Sequence, residues 1–100
     1  MQKVSVYLEN GFDHDHVTLA AGDQLLDEQF DVSTRYQIGL ARKLDVVIPG
    51  GGPRVLRVAL PDRGLTADVP LDPVSGPHIR VNVAGDQLVA EADPDPPRFA

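Results

Sequence analysis

The chain has 100 residues and a net charge of −6, with 42% hydrophobic residues and no cysteine. That is the length of one domain, with enough apolar side chains for a packed core. The composition excludes a disulfide framework, a thiolate metal site and a cysteine nucleophile; the acidity opposes nucleic acid and anionic membranes, and no apolar run reaches the roughly 20 residues of a membrane helix.

Apolar residues alternate with a period of two along most of the chain, which predicts strands. The first predicted strand follows Met1-Gln2-Lys3 and puts Val4, Val6 and Leu8 on one face, with Tyr7 on the other. No charged leader or apolar stretch of a signal peptide precedes it, so a cytoplasmic location is expected. Asp13-His14-Asp15-His16 then leads into a second strand, whose Val17 and Leu19 face inward. A Gly22-Asp23 turn sets Leu19 opposite Leu26. Helical periodicity shows only weakly, over 23–30, and that stretch is read as a strand because it follows this turn.

Thr34, Tyr36, Ile38 and Leu40 predict another strand, followed by Leu44, Val46 and Ile48. Pro49-Gly50-Gly51-Gly52-Pro53 reads as a flexible hairpin tip, since no Lys-Ser or Lys-Thr follows as in a phosphate loop. A hairpin about this tip pairs Val46 with Leu56 and Leu44 with Val58 inside. It pairs Asp45 with Arg57 and Val47 with Val55 outside, where cross-strand chemistry favours both pairs. Leu65, Ala67, Val69 and Leu71 predict the next strand, and Ile79, Val81 and Val83 the one after. A Gly85-Asp86 turn then pairs Val83 with Leu88, Val81 with Ala90 and Arg80 with Glu91. The pentapeptide Ala-Gly-Asp-Gln-Leu thus occurs twice, at 21–25 and 84–88. The match stops outside the turn, so it reads as one good hairpin turn used twice. Residues 94–100 form a proline-rich tail behind a single domain, 1–93.

About eight or nine short strands cannot share one sheet without leaving an apolar face uncovered. The expected fold is an all-β, two-sheet antiparallel sandwich. In architecture this resembles the broad class of immunoglobulin-like and transthyretin-like sandwiches. The Cys-Trp-Cys spacing of immunoglobulin domains is absent, and a resemblance at this level implies no activity.

Alternating strand directions sort the connections by end. One end is expected to collect 10–16, 31–33, 49–53, 72–77 and the tail; the other collects 21–24, 41–43, 61–64 and 84–87. The first end then gathers most of the acidic excess, Glu9 included, together with all 3 histidines. A His-x-His pair offers imidazoles to a zinc-like metal, and an Asp-x-Asp pair offers oxygens to calcium. The candidate ligands are Asp13, His14, Asp15, His16, Asp31, Asp72 and His78. No serine has the context of a nucleophile and no carboxylate pair has an evident cleft, so no catalytic residue is expected. On the outer faces, Tyr7, Val47, Val55, Ala59 and Val89 are candidates for an apolar interface. The leading functional expectation is a non-enzymatic protein-interaction or self-assembly module, working as a homo-oligomer or on a protein partner. The alternative is a divalent-cation-binding domain.

Overall fold

The computed structural model describes residues 2–22, 24–35, 37, 39–48, 55–71 and 78–93. Among the described residues eight strands follow one another: β1 (Gln2–Leu8), β2 (Asp15–Ala21), β3 (Gln24–Val32), β4 (Arg42–Ile48), β5 (Val55–Leu60), β6 (Leu65–Pro70), β7 (His78–Ala84) and β8 (Gln87–Asp93). They form two four-stranded sheets, ordered β4-β1-β7-β8 and β3-β2-β5-β6. This is the expected two-sheet β-sandwich. Neighbouring strands are antiparallel except β1 and β7, which run parallel. Among the described residues, no helix is long and apolar enough to cross a membrane.

Alternation assigns the core directly, because successive side chains of a strand point to opposite faces. Val4, Val6, Leu8, Leu44, Val46, Ile48, Ile79 and Val81 fill it from one sheet. Val17, Leu19, Leu56, Val58, Leu60 and Val69 fill it from the other. Burying each such side chain stabilises by about 1.5–3 kcal/mol. At one side of the sandwich the edge strands β3 and β4 come together, and Arg42 Nη1 donates to Gln29 Oε1 at 2.6 Å. At the other side β6 and β8 meet.

The hairpin expected between Leu44–Ile48 and Leu56–Leu60 does not form. β4 pairs with β1, from Gln2↔Ile48 to Leu8↔Arg42, while β5 lies in the other sheet between β2 and β6. The buried faces are as expected, but the neighbours are not. Alternation is the same whichever strand lies alongside; the expected hairpin tip, 49–53, lies outside the described residues. The expected Asp45–Arg57 pair is therefore absent. Ser5 Oγ donates to Asp45 Oδ1 at 2.7 Å, and Arg57 Nε donates to Asp68 Oδ1 at 2.9 Å.

The other two expected hairpins form, closed by Ala21↔Gln24 and Ala84↔Gln87, with glycine in the left-handed region at φ +59° for Gly22 and +64° for Gly85. The β7–β8 hairpin has the expected pairs Val83↔Leu88, Val81↔Ala90 and Arg80↔Glu91. In the β2–β3 hairpin, Ala20↔Leu25 is followed by a register shift that sets Leu19 opposite Asp27 instead of Leu26. Leu26 becomes the extra residue of this bulge and turns to pack against the core.

The described residues between Thr34 and Leu40 belong to no strand, contrary to expectation. Thr34 is buried and clamps the β1–β2 loop: its N–H donates to the Phe12 carbonyl, and its hydroxyl donates to the Glu9 carbonyl and accepts from the Phe12 N–H. Arg35 and Leu40 then close a short turn as an isolated bridge, with Gly39 at φ +69°. Tyr36 and Ile38 lie outside the described residues. With one strand fewer, every later connection changes end. The loop 9–14 and the segment 33–41 share an end with 61–64 and 84–87. β4 and β8 finish, and β5 and β7 start, at the opposite end. The expected gathering of acids and histidines at one end is corrected accordingly.

Candidate functional site

In an extended segment His14 and His16 would share a face. His14 instead has φ +50°, in the left-handed region that histidine tolerates better than most residues. Its N–H donates to Ser33 Oγ at 2.9 Å, and its Nδ1 bonds to the carboxylate of Asp31. Asp13 Oδ1 lies 3.7 Å from its Nε2. Asp15 turns the other way and is buried. Its two carboxylate oxygens accept from Arg63 Nε and Nη2, each at 2.8 Å, and one also accepts from the Asp13 N–H. This pair ties the start of β2 to the β5–β6 turn.

His16 stands on the outer face of the β3-β2-β5-β6 sheet, with its Nε2 2.7 Å from Glu28 Oε2. Its ring stacks on Phe30 at 4.5 Å between centroids. His78 stands on the outer face of the opposite sheet, where its Nδ1 is hydrogen-bonded to the Tyr7 hydroxyl at 3.1 Å. The structure thus brings His14, Asp13 and Asp31 together and keeps His16 and His78 apart on opposite faces. Asp72 lies outside the described residues. Among the described residues, no three histidine, aspartate or glutamate side chains form a group that could hold a metal ion.

The hydrogen bond to Asp31, followed by the charges of Asp31 and Asp13, raises the His14 pKa above its ordinary 6.5. A raised pKa in the folded state contributes stability that is complete below 6.5 and is lost as pH climbs through the raised value. The expected result is a His14 ring titration, followed by NMR, with its midpoint above 6.5 in the folded protein. Asp31→Asn returns that midpoint towards 6.5; an unchanged midpoint would show that Asp31 does not hold the imidazolium.

The five candidate interface residues do not form one patch. Tyr7 faces outward as expected but is only 6% exposed, lying against the His78 ring and beneath Lys43 Nζ. Val47 on β4 and Val89 on β8 occupy opposite edges of one sheet. Val55 and Ala59 belong to the outer face of the other. The expected Val47–Val55 pair therefore points to opposite sides of the molecule. Glu9 is buried as well, accepting from Arg80 Nε at 3.0 Å and Asn82 Nδ2 at 2.9 Å, so it does not add to a charged surface.

Two apolar residues absent from the sequence-based candidates stand out: Phe30 is 63% exposed and Leu25 is 54% exposed. Both lie on the outer face of β3, where Leu25 pairs with Ala20 and Phe30 covers His16. The repeated pentapeptide held a signal for Leu25. Its counterpart Leu88 pairs with inward Val83, whereas Ala21 before the first turn is itself inward, which puts Leu25 outside. Phe30 had no such signal, because the bulge at Leu26 shifts the alternation.

Fold and surface together define an all-β, two-sheet sandwich with an acidic edge strand that bears exposed apolar side chains. Comparison with protein-family models, curated proteins and solved structures gave no significant match.

Proposed function

We propose that this chain is a non-enzymatic protein-interaction module that self-assembles through the side of the sandwich where β3 lies. The observation that carries this reading is the placement of Phe30 and Leu25. They are the two most exposed large hydrophobics among the described residues, and both stand on the outer face of one edge strand. Complete burial of side chains of this size is worth about 1.5–3 kcal/mol each, and the exposed part of that gain favours association when several are covered at once. An edge strand also presents backbone groups that have no neighbouring strand on one side.

Sedimentation velocity over a range of concentrations tests the reading. The unmodified chain is expected to gain mass with concentration. Phe30→Ser combined with Leu25→Ser is expected to remain monomeric, with its thermal midpoint almost unchanged because both residues are exposed. A monomer at every concentration reached by the unmodified chain would overturn self-assembly.

A further inference from the structure

The two edge strands that meet at one side of the sandwich are opposite in character. β3 carries Asp27, Glu28 and Asp31 and no basic residue, whereas β4 opens with Arg42-Lys43 and carries one acid, Asp45. Between them they hold three of the five exposed large hydrophobics among the described residues: Phe30 and Leu25 on β3, and Val47 on β4, 52% exposed. All three are on outer faces. We propose that two copies of this chain join side by side about a two-fold axis parallel to the strands, with β3 of each copy against β4 of the other. This rests on the self-assembly reading above and specifies its partner and geometry.

The symmetry follows from the topology. β3 ends, and β4 begins, at the same end of the sandwich, so the two run in opposite directions. A two-fold along the strands keeps each direction and exchanges the layers. β3 of one copy then lies antiparallel to β4 of the other, and the same contact forms twice. The operation also brings the outer face of β3 to the same side as the outer face of the partner's β4.

Heights along the axis are preserved, and Arg42 already reaches Gln29 within one copy. Lys43 of one copy therefore arrives near Glu28 and Phe30 of the other, where it meets a carboxylate and an aromatic face. Val47, four residues further along β4, arrives beside Leu25. The alternative two-fold, perpendicular to the sheets, would set β3 on β3 and bring the same three acids together with no base between them. Register shifts on both sides of Asp27–Gln29 interrupt the regularity of β3, so side chains rather than a long backbone ladder supply this contact.

The absence of cysteine makes disulfide trapping a clean test, because introduced thiols are the only ones present. Chains carrying Leu25→Cys and chains carrying Val47→Cys are prepared separately, then oxidised alone and mixed. A disulfide needs Cα atoms about 4.4–6.8 Å apart, so only close neighbours are trapped. The expected result is a covalent dimer in the mixture and little or none from either chain alone. Lys43→Glu is expected to weaken association, with Lys43→Glu plus Glu28→Lys restoring it. Efficient trapping of Leu25→Cys chains with one another would overturn this arrangement. So would association of the unmodified chain with neither a mixed disulfide nor a charge-swap effect, although self-assembly would then stand. A chain that is monomeric at all concentrations would overturn both.

Discussion

Replacing Gly11 with alanine is expected to cost the fold at least about 3 kcal/mol, by two mechanisms that add. Gly11 has φ +89°, a backbone conformation that residues with a Cβ rarely adopt. A Cβ there would also run into the carbonyl oxygen of Val83 and lie 2.8 Å from its Cβ. The obstacle is backbone and core on β7, with no flexible side chain that could swing aside. The neighbouring Val83 N–H donates to the Asn10 carbonyl at 2.8 Å, so the loop cannot retreat without breaking that bond. Gly64→Ala separates the two causes. Gly64 has φ +68° but nothing within 4 Å of its Cβ position, so only the backbone cost of about 1–2 kcal/mol applies. Urea unfolding of both variants, followed by circular dichroism, measures the difference. Equal losses would show that close approach to Val83 is not what requires glycine at position 11.

Phe12→Ala is expected to cost about 3–5 kcal/mol, the range for emptying a fully buried aromatic site. Phe12 belongs to no strand, yet it is among the largest side chains that are completely buried. It closes the end of the core between the sheets, held by paired backbone and side-chain bonds to Thr34. For a domain of this length, each kcal/mol moves the melting temperature by about 4–8 °C, so calorimetry should record a large drop. Phe12→Leu, which keeps much of the volume, should lose far less. Thr34 lies between the end of β3 and the turn into β4, so Phe12 also anchors the segment that sets these two edges side by side. A loss of less than about 1 kcal/mol for Phe12→Ala would mean that the end of the core can close without it.

The same loop shows why parts of the sequence were legible and others were not. Gly-Asp after Ala signals a tight turn by itself, and the β7–β8 register follows from that turn residue by residue. Phe12 carries no such signal, because its burial depends on Thr34 folding back over it from 22 residues away. The alternation from Thr34 to Leu40 reads as a strand with Thr34 inward, but Arg35 and Leu40 pair with each other as an isolated antiparallel bridge. The aspartate and histidine run at 13–16 was conspicuous in composition. Its fate was decided by one left-handed residue, His14, and by Arg63 arriving from a distant turn to take Asp15.

Period-two alternation and the Gly-Asp dipeptides already specify two packed sheets, the buried faces of every strand but β3, and where two of the hairpins turn. These properties follow from the period-two geometry of an extended chain and from the freedom of glycine at positive φ, both local. Which strand lies beside which, which loops share an end, and the placement of the exposed apolar side chains of β3 and β4 on one side of the molecule come instead from the assembled fold. Neighbour choice depends on how two whole sheets close over a common core, and a single strand more or less reverses every connection after it.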